Sequence, residues 1–367
     1  MKKKIIVVFG TRPEAIKLGP VIKELQKSPA FETKVCVTGQ HREILDQVLA
    51  VFDIQPDYDL NIMKQNQTLA DITSLVLTSF TQVLQTEQPD LVLVHGDTTT
   101  TYAAALASFY LNIPVGHVEA GLRTYNIFSP FPEEFNRQSV SLLAKYHFAP
   151  TKQAAQNLAQ EKLTSSEIFV TGNTAIDALN YTIQTDYQTE LSALAEQYKI
   201  ILFTAHRREN LGQPMREMFQ ALKKIVQDNP DCVAIYPMHP NPKVRTVALD
   251  ILGNEERIKL IEPLSVIDFQ NLLAKSYLVM TDSGGIQEEA PSLNKPVLVM
   301  RDTTERTEGI TAGTLKLVGT KYDEIYRQGT ELLTNLELYQ QMAQAINPYG
   351  DGKASQKIRM ILEEHLA

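Results

Sequence analysis

Three carboxylates in the first half of the chain sit where proton-transfer chemistry would want them. Asp97 lies in His95-Gly96-Asp97-Thr98, and Glu119 and Glu133 lie in the segment GHVEAGLRTYNIFSPFPEEFNR from Gly116 to Arg137. Each follows a short apolar run, or the loop after one, so all three converge on one sheet edge. Asp97 could instead cap the helix that follows, a role that does not exclude chemistry. Glu133 and Arg137 stand at i and i+4 on one helix face, with Pro132 suited to the first turn. As a surface ion pair they would be worth only ~0.3–0.5 kcal/mol, and Glu134, Asn136 and Arg123 would be left without a purpose. A network that fixes the protonation state of a neighbouring acid uses all of them.

The second half offers a place for an anion. In TDSGGIQEEA, from Thr281 to Ala290, Ser283-Gly284-Gly285 separates a short apolar run from an acidic helix start. That arrangement supplies consecutive backbone N–H groups at a helix N-terminus and binds phosphate without a lysine. It is neither a Walker A loop nor a G-x-G-x-x-G fingerprint, so nucleoside triphosphate and dinucleotide readings lack direct support. Glu289, about one turn into that helix, could accept both hydroxyls of a ribose; alternatively, Glu288 and Glu289 are solvent-facing helix formers. Arg306, in the mixed-charge stretch from Arg301 to Glu308, is the cation best placed for the ligand.

Thr204-Ala205-His206-Arg207-Arg208 brings an imidazole and two arginines to the end of another apolar run, where a diphosphate would be neutralised. An anion beside His206 would favour its protonated form, the unperturbed pKa being ~6.5. Arg12, in Gly10-Thr11-Arg12-Pro13-Glu14, either stands at a strand mouth beside a helix N-terminus or is a solvated arginine of an ordinary turn. His239, on the rigid turn MHPNP, reads equally as a ligand contact or a structural residue. His41, His95, His117 and His239 are not spaced as a zinc set, and no metal is expected. The whole pattern points to acid/base chemistry on a phosphate-bearing ligand.

The elements that must carry these residues alternate. Apolar, β-branched runs at Ile5–Phe9, Lys34–Thr38, Leu91–His95, Val115–Val118 and Ile168–Thr171 are separated by amphipathic stretches at Pro13–Gln26, Arg42–Phe52, Leu69–Gln85 and Thr98–Leu111. Strands without period-2 alternation are buried on both faces, which predicts a parallel, doubly wound sheet. The rhythm restarts at Ile200–Thr204 and continues through Cys232–Tyr236, Ile258–Ile261, Leu278–Thr281 and Pro296–Met300, with helices at Met215–Gln227, Val266–Ala274 and Glu324–Leu333. The class is therefore α/β with two Rossmann-like doubly wound parallel-sheet domains, residues 1–172 and 173–352. The last stretch, 353–367, is expected to cross back onto the first domain. In open sheets of this kind ligands sit beyond the C-terminal strand ends, where every polar cluster above falls.

At 367 residues two cores are the better expectation. A formal net charge of −8 and the absence of a long Lys/Arg tract argue against a nucleic acid or an anionic membrane as the main partner. Cys36 and Cys232, in different halves, read as buried reduced thiols. The apolar stretch Ile5–Phe9 is too short for a signal-peptide core, and no segment approaches the ~20 apolar residues that span a bilayer. A cytoplasmic location is expected.

The strings FGTRPEAIKLGPV, TGQHREILDQV, VHGDTTTT, PVGHVEAGLRT, SPFPEEFNR, TAHRREN, MHPN, TDSGGIQEEAP and MRDTTERTEG run collinearly through the chain. With them the sequence resembles, over essentially its whole length, the non-hydrolysing bacterial UDP-N-acetylglucosamine 2-epimerases. The resemblance implies a glycosyltransferase-B-like pair of domains with the active site in the cleft between them, usually as a homodimer. It implies interconversion of UDP-GlcNAc and UDP-ManNAc through 2-acetamidoglucal without a cofactor, supplying ManNAc for cell-surface polysaccharide. Asp97, Glu119 and Glu133 match the family's catalytic carboxylates and His206 its essential histidine. We read Asp97 and Glu133 as acting on opposite faces of the sugar, with Glu119 orienting the network. The nucleotide pattern carries over to Arg12, His239, Ser283, Gly284, Gly285, Glu289 and Arg306, with Phe269 at the position that packs on uracil and Lys17 and Arg137 completing the electrostatics. A second UDP-GlcNAc, bound as activator by Gln40, His41, Glu43 and Arg207, is a further implication. A hydrolysing enzyme, which would release free ManNAc, is the alternative on the same scaffold.

Overall fold

The structure, a computed structural model, describes residues 2–39, 42–62, 64, 67–161, 167–304 and 306–366, with the backbone alone for 42–44. Seven strands form the first sheet: β1 (Lys3–Phe9), β2 (Phe31–Val37), β3 (Tyr58–Asp59), β4 (Leu91–His95), β5 (Val115–Val118), β6 (Tyr146–Ala149) and β7 (Ile168–Val170). Six form the second: β8 (Lys199–Thr204), β9 (Cys232–Pro237), β10 (Ile258–Ile261), β11 (Leu278–Thr281), β12 (Val297–Val299) and β13 (Leu315–Leu317). Their orders are β3-β2-β1-β4-β5-β6-β7 and β10-β9-β8-β11-β12-β13, and each pairing is parallel. The strand order reverses between β1 and β4 in one sheet and between β8 and β11 in the other, and these switch points are where a doubly wound sheet opens a crevice.

The runs form these strands because both faces are covered. Ile5 through Phe9 and Leu91 through Val94 are fully buried, as a central parallel strand requires. Helix Thr99–Tyr110 turns Ala103, Ala104, Ala105 and Ala107 inward, all fully buried, and these small side chains let it lie close to its neighbours. At the end of β1, Gly10 is needed: a Cβ there would stand 2.2 Å from Thr38 Oγ1 and 2.6 Å from Thr100 Oγ1. In the second sheet the Phe203 ring packs against Phe219 and Tyr236 at centroid distances of 5.8 and 5.1 Å. The buried Tyr236 hydroxyl donates to Ala205 O at 2.7 Å, fixing the backbone just before His206.

The chain divides into two compact units, residues 1–181 with 349–367 and residues 182–348. The first unit runs past Gly172 because helix Thr174–Thr182 is anchored there. Asp177, within it, accepts the N–H groups of Ala354 (3.1 Å) and Ser355 (2.7 Å) at the start of the last helix. That last helix lies on helix Arg12–Lys27, with Glu363 accepting from Ser28 Oγ at 2.6 Å and Arg359 paired with Glu24 at 3.3 Å. Cys36 and Cys232 are buried and unbridged, and burial pushes the Cys232 thiol up to about 12. Among the described residues no helix is long and apolar enough to cross a membrane.

Candidate functional site

In the first unit two of the predicted carboxylates, Asp97 and Glu119, stand at the C-terminal ends of β4 and β5. Asp97 does not cap the following helix. Thr98 does so, its Oγ1 accepting the Thr101 N–H at 3.1 Å. The Asp97 carboxylate is thereby left for Arg137, whose Nε donates to Oδ2 at 3.2 Å and whose Nη2 completes the pair. Asn136 Nδ2 donates to the Asp97 carbonyl at 2.8 Å, and His117 Nε2 donates to the Gly96 carbonyl at 2.7 Å, so the loop is pinned on both sides.

Glu119 follows β5 with a left-handed backbone, φ 62°, a strained conformation for a non-glycine residue and one that clusters at functional sites. Its Oε2 pairs with Lys17, and His95 Nε2 lies 3.6 Å away. Burial is the largest influence on this carboxyl and pushes its pKa up; Lys17 and His95 together outweigh it and hold the group well below the usual carboxylate range. A Cβ on Gly96 would stand 4.0 Å from Glu119 Oε1, so the two loops are neighbours. Glu133, half-buried, opens helix Glu133–Leu143, whose N-terminal end favours negative charge.

Glu134, next in sequence, is fully buried and serves the scaffold. It accepts the N–H groups of Thr124 (3.0 Å) and Tyr125 (2.9 Å) and shares Arg137 with Asp97 through a 3.1 Å contact. Arg123 does not join this network, contrary to the reading above. Its guanidinium donates to Glu161 at 2.6 and 2.9 Å and to Ser141 Oγ at 2.8 Å, tying the loop to two helices instead. Glu14, given no role in the sequence reading, is a second buried scaffold carboxylate: it accepts the N–H groups of Gly10 (3.1 Å) and Thr11 (2.8 Å) and the hydroxyl of Thr98 (2.7 Å). It thereby joins the loops after β1 and β4, holding Arg12, which is exposed at the start of its helix, beside the switch point.

The second unit builds the anion cradle. Helix Gly284–Ser292 begins after Ser283 without a side-chain cap, so its first N–H groups remain available to a ligand. Arg306 lies over this turn: a Cβ on Gly284 would come within 2.9 Å of its Cζ. The guanidinium is held by Glu288, with Nε donating at 3.1 Å. Glu288 is buried and therefore no solvent-facing helix former, whereas Glu289 is half-buried and accepts from Gln270 Nε2 at 3.3 Å. Gln287, fully buried, links the Ser283 carbonyl (3.1 Å) to the Thr304 hydroxyl (2.7 Å), tying the cradle to the loop that carries Arg306. Phe269 packs, half-buried, against a core cluster of the second unit.

His206 follows β8, its ring stacked on His239 with centroids 5.4 Å apart and planes 4° from parallel. Burial lowers its pKa, Asp282 acts in the opposite sense, and His239 and Arg207 lower it further. Arg207 Nε donates to the Asp282 carbonyl at 3.2 Å. Asp282 is the residue the sequence reading missed, because within TDSGG it looks like turn chemistry and its partners lie more than seventy residues earlier. Of the expected activator set, Gln40 and His41 and the Glu43 side chain lie outside the described residues.

One consequence concerns stability. Burial pushes the pKa of His117 down from 6.5 to about 3. Between those values the unfolded chain takes up a proton that the folded chain refuses, so stability is fully present above pH ~6.5 and is lost as pH falls. Going from pH 7 to pH 5 is expected to cost about 2 kcal/mol through this ring alone, at ~1.36 kcal/mol per pH unit. Urea unfolding of wild type and His117→Gln at both pH values checks it: the variant should lose less on acidification, and an equal loss would contradict the assignment.

The profile of the UDP-N-acetylglucosamine 2-epimerase family matches residues 23–363. The chain is 57% identical to the UDP-N-acetylglucosamine 2-epimerase of Bacillus subtilis, over 98% of this chain and 94% of that one. A solved Listeria monocytogenes structure of the same description superposes with a TM-score of 0.96 at 56% identity, covering 100% of this chain and 97% of that one. The Neisseria meningitidis enzyme solved with UDP-GlcNAc bound gives a TM-score of 0.89 at 50% identity, covering 98% and 100%.

Proposed function

This chain belongs to the non-hydrolysing bacterial UDP-N-acetylglucosamine 2-epimerase family, with its glycosyltransferase-B-like fold class, and we propose that it inverts C2 of UDP-GlcNAc by releasing UDP and adding it back. The diphosphate lies on the N–H groups of Ser283, Gly284 and Gly285 with Arg306 and His239 around it. Phe269 packs on the uracil and Glu289 receives the ribose hydroxyls. As the C1–O bond breaks, its electron pair leaves with UDP, the C2 proton passes to a carboxylate and the C2–H pair becomes the C1=C2 bond of 2-acetamidoglucal. A second carboxylate returns a proton to the other face of C2 while a UDP oxygen re-forms the bond to C1. Asp97 and Glu133 exchange these protons, and Glu119, kept charged by Lys17, orients the sugar and the network. His206 stands beside the departing diphosphate.

The observation that carries this reading is the placing of Asp97 and Glu119, paired with Arg137 and Lys17, at the ends of adjacent strands. Proton transfer without redox chemistry needs such groups, and the left-handed backbone of Glu119 is of a kind that clusters at functional sites. Incubation with UDP-GlcNAc, followed by ³¹P and ¹H NMR, is expected to show UDP-ManNAc in equilibrium with substrate. Free ManNAc accumulating in its place would mean a hydrolase.

The cradle makes a separate prediction. Gly284→Ala places a methyl group 2.9 Å from Arg306 Cζ, and the guanidinium, at the far end of a flexible side chain, must swing away from the turn. UDP affinity should fall about ten- to hundredfold, and calorimetric titration with UDP showing an unchanged dissociation constant would remove Arg306 from the site. Pairing of two copies is supported by apolar side chains left exposed on adjacent helices, Phe109, Tyr110, Phe135 and Leu142; sedimentation at twice 41.2 kDa checks it. Activation by a second UDP-GlcNAc would make the initial rate rise more steeply than first order in substrate, which rate measurements at low substrate decide.

A further inference from the structure

We propose that Asp282 is the positioning residue for His206, fixing a proton on Nδ1 so that Nε2 is the atom that exchanges a proton with the diphosphate. This rests on the reading above that His206 faces that group. Asp282 is fully buried directly after β11. Its Oδ2 is saturated: it accepts the N–H groups of His206 and Arg207, both at 2.9 Å, and Nδ2 of Asn210 at 3.1 Å. Its Oδ1 accepts no hydrogen bond among the described residues and lies 3.3 Å from His206 Nδ1. A buried carboxylate oxygen left unpaired is costly, and the imidazole N–H is the donor within reach. A slight rotation of the ring completes the bond.

The neighbouring ring sharpens the argument. His239, stacked on His206, accepts the Asn241 N–H at its own Nδ1 (3.1 Å), so when neutral it carries its proton on Nε2. The two parallel rings are thus held in opposite tautomers. The groups facing His206 are Asp282, His239 and Arg207. Burial, His239 and Arg207 disfavour a second proton on His206 and Asp282 favours it, so a second proton that His206 does take up is stabilised by Asp282. The proton then on Nε2 moves to the departing phosphate oxygen and returns when UDP is added back. Asp282 keeps Nδ1 protonated throughout, and no proton is gained or lost over the cycle.

Asp282→Asn separates this role from mere loop support. The asparagine oxygen can keep the two backbone N–H groups, while its NH₂ faces Nδ1, makes it an acceptor and forces the proton onto Nε2. In the full-length protein labelled with ¹⁵N-histidine, with His206 identified by its loss in His206→Gln, wild type should show Nδ1 protonated and Nε2 bare when neutral. Asp282→Asn should show the reverse, with kcat lowered on the order of 10²- to 10⁴-fold and the dissociation constant for UDP changed by less than about threefold. Wild-type His206 with its proton on Nε2, or Asp282→Asn retaining more than about a tenth of kcat, overturns the proposal. Should Asp282→Asn fail to fold, the wild-type spectrum decides alone. Failure of the epimerase reading itself looks different: wild type would make no UDP-ManNAc whatever tautomer His206 adopts.

Discussion

Asp97→Asn is expected to lower kcat by about 10³-fold, within the 10²- to 10⁴-fold that a lost general acid or base typically costs, while UDP binds as before. The asparagine is isosteric and still offers Arg137 an oxygen, so the loop, pinned by Asn136 at the Asp97 carbonyl and His117 at the Gly96 carbonyl, should keep its form. What disappears is the capacity to accept and return the C2 proton. The proposed diphosphate and uracil groups, Ser283, Gly284, Arg306 and Phe269, all lie in the other compact unit, which is why affinity for UDP should be insensitive. Steady-state kinetics paired with calorimetric UDP titration read both quantities. Near-normal turnover would take Asp97 out of the chemistry, and joint loss of turnover and UDP binding would show a structural role instead.

Lys17→Met should produce the largest combined effect on stability and rate. Lys17 and Glu119 form a pair whose side chains are only 17% and 12% exposed, and removing one partner of such a pair usually costs roughly 3–5 kcal/mol because the other charge is left buried. With Lys17 present the depressed pKa of Glu119 contributes stability above the unfolded carboxylate pKa, and that contribution is lost as pH falls through the folded value. Without Lys17, burial is still opposed by His95 but no longer by the ammonium, so the depression of the Glu119 pKa should shrink and acidification should cost the folded state less. Thermal unfolding of both proteins across pH 4–8 tests this, and the pH–rate profile of the variant should gain a new limb as Glu119 titrates. Parallel pH dependences in the two proteins would show that Glu119 does not depend on Lys17.

Much of this architecture was legible because the relevant signals are local. Apolar runs such as Ile5–Phe9 and Leu91–His95 announce strands buried on both faces, and the polar residues just beyond them mark the strand ends where Asp97, Glu119 and His206 stand. Three strands escaped. Tyr58–Asp59 and Leu315–Leu317 are too short to carry a pattern, and Tyr146–Ala149, reading YHFA, hides a buried histidine among aromatics. The contacts that finish the site were not legible, since they join residues far apart in sequence. Lys17 meets Glu119 across 102 positions, Asn136 meets the Asp97 carbonyl across 39, and Arg123 finds Glu161 across 38. An i,i+4 rule sees Glu133 with Arg137 but cannot tell that helix phase buries Glu134 completely, leaves Glu133 half-buried and turns Arg137 to Asp97 and Glu134. Asp282 is the plainest instance: its chemistry is made by the loop after β8, and only the parallel pairing of β8 with β11 brings the two together.

The account stands on carbon–hydrogen bond breaking at C2, and turnover in deuterium oxide measures that directly. After partial reaction of unlabelled UDP-GlcNAc, NMR and mass spectrometry should find one deuterium at C2 of the UDP-ManNAc formed and, as the reaction reverses, of the recovered UDP-GlcNAc, with none at other carbon positions. UDP-ManNAc that has kept its original hydrogen at C2 would contradict it.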